Sequence, residues 1–255
     1  MKDDVLVVTF SVGERTEKLS DLCFEKIGFN NRIVLNSQDG LRDKFFTLAE
    51  IANKKEYSYY IQNDADRFVF EDFHKLIDLV IEHNVDSSAG VGFDYVMNRF
   101  RGATPNIFTQ RALQYLYDNP KIMPDVQKPL TAFGTALKKT EGFIDKDFKV
   151  LTNLHDYEQY PSKICNTFLN RLSRNHQHLY DRGYLSSLSA PYIMALDHAQ
   201  RLFRNGLRKP SINYMDFSFL DDGYLPMETS ELEHLYEHYK SIYNNKKNVF
   251  NSVYK

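Results

Sequence analysis

The chain has no tryptophan and only two cysteines in 255 residues. Cys23 and Cys165 lie far apart and show neither the spacing of a zinc site nor that of a redox pair. They are expected to be free thiols in a reducing compartment. Excess positive charge is also absent. The formal net charge is −2, so no global field draws the chain to nucleic acid or an acidic membrane, and only a local basic patch leaves nucleic acid open as a partner. No apolar run approaches the roughly 20 residues that cross a bilayer. The start, Met1-Lys2-Asp3-Asp4 before a short apolar run, lacks the charged region, apolar region and cleavage site of a signal peptide. A cytoplasmic chain without a transmembrane segment, membrane-peripheral at most, is the expectation. There is no internal repeat and no low-complexity linker.

Hydrophobic residues make up 42% and charged residues 26%, an ordinary globular balance. A chain of this length can bury a core without disulfides or structural metals. The 17 Tyr and 19 Phe are expected mainly as core and boundary residues, although tyrosines also line sugar sites.

Val5 to Phe10 is a continuous apolar, β-branched run of the kind buried on both faces of a parallel sheet. A turn at Ser11–Arg15 and a helix from about Thr16 to Ile27 follow. Arg32–Asn36 reads as a second strand, 41–53 as a helix, and Tyr57–Gln62 as a third strand ending at Asn63-Asp64-Ala65-Asp66. Phe73, Leu76, Ile77, Val80 and Ile81 form one helical stripe, and Ala89–Phe93 reads as a fourth strand. The β-α-β-α-β-α-β order predicts an α/β fold with a doubly wound, mostly parallel, Rossmann-like sheet. In such sheets ligands bind beyond the carboxyl ends of the strands, where the loops Ser11–Arg15, Gln38–Gly40 and Asn63–Asp66 converge.

Beyond these, Thr131–Leu137 reads as a strand, with Arg99 and Arg101 in the loop after the fourth strand. From about Pro161 the pattern is mainly helical. Ser230 and Glu233 form a capping box before the stripe Leu232, Leu235, Tyr236, Tyr239, Ile242, Tyr243, and the polar, basic stretch from Asn244 is expected to fray. A core over residues 1–155 and a helical, acceptor-side region over 156–255, packed together, is the expected organisation.

Asp64 and Asp66 stand at i and i+2, which in an extended segment share one side. Two hard carboxylates at a binding rim suit Mg²⁺ or Mn²⁺, an ion that neutralises charge on a leaving diphosphate. The structural alternative is an acidic turn that caps the next helix. The apolar strand before the motif and the regular helix after it favour the metal.

On these features the first hundred residues resemble the nucleotide-sugar half of GT-A glycosyltransferases, family 2 in particular. The matching stretches are Val5–Arg15, Ile33–Gly40 and Tyr59–Asp66. The resemblance implies that Thr9, Phe10, Glu14 and Arg15 lie near the nucleotide and Asp39 near the base or ribose. It places Asp64 near the ribose or metal and makes Asp66 the principal ligand of Mn²⁺ or Mg²⁺. It extends to Phe133–Lys139 and Gly142-Phe143-Ile144-Asp145, similar to the family's strand and Gly-Gly-Phe-Asp segment. His155-Asp156-Tyr157-Glu158 falls where inverting members carry a Glu-Asp pair. Asp156, with Glu158 in reserve, is then the base that takes the acceptor's proton. His198 is a candidate third metal ligand, in competition with a packing role and with His176 and His178. The departures are Asn36-Ser37-Gln38-Asp39-Gly40 for Asp-Asp-Gly-Ser, a single Gly142, and His155 for the Glu.

Arg171, Arg174, Arg182, Arg201, Arg204, Arg208 and Lys209 form either a solvated face or a patch for diphosphate or a phosphorylated acceptor, a patch that Arg99 and Arg101 can join. The function so implied is transfer of a sugar from a nucleotide-diphosphate donor, a UDP-sugar foremost, to a hydroxyl of a glycan or lipid-linked acceptor, with DNA or protein as other acceptors. A nucleotidyltransferase is the competing enzyme, disfavoured by the single glycine and the acid in Ser11–Arg15. A non-catalytic scaffold is the third possibility.

Overall fold

The computed structural model describes residues 4–37, 40–54, 56–95, 98–123, 129–155, 160–173, 190–207, 216–222 and 232–254. The chain divides into two compact units. The first comprises Met1–Asp94, Phe100–His155 and Thr229–Lys255, and the second Tyr95–Arg99 and Asp156–Glu228.

The first unit is built on a seven-stranded, curled sheet, mostly parallel, in the order β2-β1-β3-β6-β5-β7-β4. Its strands are β1 Val5–Ser11, β2 Arg32–Asn36, β3 Tyr59–Asp64, β4 Arg67–Val69, β5 Ser87–Asp94, β6 Arg99–Thr109 and β7 Leu151–His155. β1 pairs in parallel with β2 and β3, and β5 with β7. β6 is antiparallel to β3, and β4 to β7.

Side-chain alternation explains why the sheet is covered on both faces. Along β1, Leu6, Val8 and Phe10 enter one core while Val5 and Val7 enter the other, the period of two that a strand imposes. Tyr60 and Phe108 repeat the first choice, Ile61 and Ile107 the second. Helices α2 Leu41–Asn53, α4 Gln110–Asp118 and α5 Pro129–Lys139 cover the first face through Phe45, Leu48, Leu113, Phe133 and Leu137. Helices α1 Glu17–Lys26 and α3 Phe73–Glu82 cover the second through Phe24, Phe73, Leu76, Ile77 and Val80. This is the doubly wound α/β arrangement expected.

Three local expectations are corrected. Thr131–Leu137 is helix, part of α5. Its apolar residues Leu130, Phe133 and Leu137 recur at i, i+3 and i+7, a helical stripe packed on Phe108 and its neighbours. Arg99 and Arg101 lie on β6 rather than in a loop. β6 follows β5 through a few residues that include Asn98 at φ 45°, too few for the crossover helix a parallel neighbour needs. The C-terminal stretch also stays helical well past Asn244.

Helix α8, Leu232–Val253, follows from the second half of the second unit and belongs to the first. Its capping residue Ser230 lies outside the described residues. The tyrosine stripe is buried: the Tyr239 ring lies 4.7 Å from Phe68, and Tyr243 stacks on Phe70 at 4.5 Å. Phe250, one repeat further, is buried against Phe100 at 5.2 Å, so the helix persists because its stripe does. The Tyr243 hydroxyl lies 2.8 Å from Asp72 Oδ2 and 2.7 Å from the Leu151 carbonyl. Burial first, and then the charge of Asp72, push that phenol's pKa upward.

In the second unit, α6 Pro161–Ser173 and α7 Ala190–Arg204 bury Ile164, Phe168, Leu169, Leu196 and Phe203 together. Asp221, at the end of a short 3-10 helix, accepts hydrogen bonds from Ser162 N at 2.8 Å and Ser162 Oγ at 2.7 Å, which satisfies the start of α6.

Tyr243→Phe is expected to lower unfolding free energy by about 1–2 kcal/mol, since it removes the one proton that the Leu151 carbonyl and Asp72 share, and Asp72 alone keeps other partners in Lys75 and Lys247. Urea denaturation monitored by circular dichroism measures it, with an unchanged m-value.

Candidate functional site

The two turns that the sequence placed on one rim are joined by backbone. Phe10 and Asp64 are register partners on β1 and β3. Just beyond, Ala65 N donates to the Phe10 carbonyl at 3.0 Å, and Thr16 Oγ1 donates to the Ala65 carbonyl at 2.8 Å. The Asp64-Ala65-Asp66 turn is thereby fixed to both ends of the Ser11–Arg15 turn. Ala65 is fully buried, so its small side chain lets the two turns meet.

Asp64 and Asp66 enter a row of charges at the strand ends. Gln62 Nε2 donates to Asp64 Oδ1 at 2.8 Å, and Arg67 Nε lies 3.4 Å from Asp64 Oδ2. Asp66 Oδ2 lies 3.4 Å from His155 Nε2 at the end of β7. The other ring nitrogen, Nδ1, is 3.4 Å from Asp94 Oδ2 at the end of β5 and 2.9 Å from Arg101 Nη2 on β6. Arg101 Nε pairs with the same Asp94 oxygen at 2.7 Å. Asp94 and His155 are register partners in parallel strands, which is why the imidazole stands between two carboxylates.

These neighbours set the ionisation of Asp66. Burial alone would raise its pKa. His155, by charge and hydrogen bond, and then Arg67 and Arg101 outweigh it and hold the carboxyl well below the usual carboxylate range. Asp66 is therefore an anion at neutral pH.

Its second oxygen, Oδ1, is buried and has no hydrogen-bond partner among the described residues. A buried acceptor left so is costly, and a hard cation is a natural partner for it. Among the described residues, no three His, Cys, Asp or Glu side chains group so as to hold a metal. The fit is thus to an ion gripped by one or two carboxylates, with its other positions left to substrate oxygens and water, as Mg²⁺ prefers.

The remaining candidates fall in several places. Thr9 and Phe10 are buried in β1, and the Phe10 ring packs edge-on against Phe45 at 5.1 Å within the core. Glu14 braces its own turn: Oε2 accepts from Val12 N at 2.7 Å and Ser11 Oγ at 2.8 Å. Arg15 is half-buried beside it. Asp39, Asp156 and Glu158, together with His176 and His178, lie outside the described residues. His198 lies on α7 in the second unit, its ring packed edge-on to Phe217 at 5.6 Å and Phe219 at 5.2 Å. Burial and then Arg201 lower its pKa.

Sequence reasoning missed Asp94, Arg67 and the parts played by Arg101 and His155. Asp94 and His155 carry the signal that exposed Asp64, a polar residue closing an apolar strand, but the 151–155 strand went unrecognised. Arg67 depends on space: Nη1 lies 3.2 Å from Asn153 Oδ1, and a Cβ on Gly92 would meet that same oxygen at 2.6 Å.

In doubly wound α/β sheets ligands bind beyond the carboxyl ends of the strands, and Asp64, Asp94 and His155 stand at such ends. No family model matches the chain, and no curated protein matches it. Among solved structures it is similar to A197 from STIV, with 10% identity over 60% of this chain and 85% of that one, TM-score 0.46. It is also similar to a glycosyltransferase involved in the glycosylation of the major capsid of PBCV-1, with 11% identity over 59% and 92%, TM-score 0.40. A cytidylyltransferase from Leptospira borgpetersenii shares 12% identity over 84% of this chain and 99% of its own, TM-score 0.37.

Two outcomes test the site. A carboxylate whose folded pKa lies below its unfolded value stabilises the fold above that unfolded value and loses the contribution as pH falls through the folded one. Asp66→Asn is therefore expected to shrink the stability difference between pH 7 and pH 3, measured by denaturant midpoints. Gly92→Ala is expected to cost about 1–3 kcal/mol by overpacking, read in the same denaturation, and to displace Asn153 from Arg67.

Proposed function

We propose that the chain is a metal-dependent glycosyltransferase that moves a sugar from a nucleotide-diphosphate donor, a UDP-sugar foremost, to an acceptor hydroxyl with inversion. The observation that carries this reading is the buried, unmatched Oδ1 of Asp66, an anion set at the strand-end rim where such sheets bind ligands. Asp66 would hold Mn²⁺ or Mg²⁺, with Asp64 beside it fixed by Gln62. The ion, when bound, neutralises charge on the departing diphosphate.

The chain's own residues do the rest. His155, Arg67 and Arg101 keep Asp66 ionised. The bond from the anomeric carbon to the diphosphate breaks as one to the acceptor oxygen forms, and the acceptor's proton goes to a carboxylate. Asp156, with Glu158 behind it, is the proposed group. A glycan or lipid-linked acceptor is favoured. Nucleotidyl transfer is disfavoured by the Ser11–Arg15 turn: its Val12 N–H and Ser11 hydroxyl are already satisfied by Glu14, where a phosphate-binding turn would offer them to substrate.

Thermal denaturation with UDP, GDP and CDP, each in Mn²⁺ or in EDTA, tests this. One nucleotide at about 100 times its Kd should add about 2.7 kcal/mol, a rise of about 5–11 °C in Tm, lost in EDTA and in Asp66→Ala. A shift that survived both would overturn the metal, and no shift with any nucleotide would overturn the donor.

A further inference from the structure

A cavity of about 370 Å³ opens on the α5 side of the sheet, lined by residues of β5, β6 and α5 and by Asp145 and Asp147. Small-molecule sites run from roughly 300 to 1,000 Å³, so this one suits a single ring rather than an oligosaccharide. All of its lining belongs to the first unit.

Its chemistry is uneven in an informative way. Phe108, Ala89 and Leu130 provide an apolar wall. Ser87, which alternates with Ala89 along β5 and so shares its face, lines the cavity with a hydroxyl. Thr131, Thr135 and Asn106 add further polar groups. Charge is confined to Asp145, Asp147 and Lys138. Lys138 Nζ lies 3.3 Å from Asp145 Oδ2, which leaves one negative charge in excess, on Asp147. That carboxylate accepts the Ala89 N–H at 2.8 Å. Desolvation, and to a lesser extent the charge of Asp145, push its pKa above the usual range, a penalty that a cationic ligand would relieve.

We infer that this cavity is a second binding site, for a ring-sized polyhydroxylated amine of the amino-sugar class. The ammonium pairs with Asp147, ring hydroxyls meet Ser87, Thr131 and Thr135, and the C–H face of the ring lies on the wall of Phe108 and Leu130. A neutral sugar lacks the charge, and a sugar phosphate adds a second anion to an acidic mouth. The inference goes beyond the donor reading and holds whether or not a nucleotide binds at Asp66. The two sites are nonetheless joined by two hydrogen bonds: Asn106 Nδ2 donates to Gln62 Oε1 at 2.7 Å, and Gln62 Nε2 donates to Asp64 at 2.8 Å.

Isothermal titration of the full chain with glucosamine, glucose and glucose 6-phosphate, without nucleotide, tests this. Glucosamine should bind at least tenfold more tightly than glucose, and glucose 6-phosphate not at all. Asp147→Asn, whose amide oxygen can keep the Ala89 contact, should abolish the preference for the amine. Thr135→Trp, which fills the cavity from the exposed side of α5, should abolish sugar binding while leaving Tm and any nucleotide-induced shift unchanged. No glucosamine binding to the wild-type chain, or binding unaltered in Asp147→Asn or in folded Thr135→Trp, would overturn it.

Discussion

Asp94 has a side chain fully withdrawn from water, and a buried carboxylate is tolerable only when countercharge and hydrogen bonds surround it. Arg101 and His155 meet that demand, and in doing so tie the ends of β5, β6 and β7 into one piece. Once His155 is held there, its far nitrogen faces Asp66. Arg67, three strands before Asn153 in the chain's order but adjacent in space, completes the row from the Asp64 side. The charged rim at the strand ends is thus organised by the cost of one desolvated charge.

The parts of the fold legible in the sequence were those written in local periodicity. Val5–Phe10, Arg32–Asn36, the helix at 41–53 and the Phe73–Ile81 stripe each carry a pattern that needs no knowledge of the rest of the chain. Asp64 and Asp66 were legible for the same reason, as paired acids where a strand stops. The antiparallel insertion of β6 was not, because strand direction is fixed by connection length and register rather than by residue type. The α5 segment was misread because Phe133–Lys139 resembled a strand seen elsewhere, while its own apolar spacing was helical. His155 and Asp94 are register partners 61 positions apart, and nothing local in either segment announces the other.

The first unit separates two kinds of chemistry with one sheet. The strand-end rim concentrates ionised groups that hold one another in place and leave a single carboxylate oxygen unmatched. The α5 side offers hydroxyls, an amide and one surplus negative charge around an apolar wall. Gln62 and Asn106 stand between, each using one amide group for the sheet's interior network. Amides suit that position because they pass a hydrogen bond along without adding a charge that would need its own compensation.

Helix α8 packs into the first unit from a segment distant in sequence, with Tyr239 and Tyr243 seated on Phe68 and Phe70. A ribosome releases those tyrosines well after Phe68 and Phe70, since Tyr243 stands 171 positions beyond its partner Asp72. Until then Phe68, Phe70 and the Leu151 carbonyl have no cover, so the sheet emerges with its β4–β7 edge apolar and wet. The unit cannot close as it is made; it must wait for α8. The same non-local contact that gives the native state its tyrosine seam also sets a long-range closure as a late folding event, of the kind that slows folding.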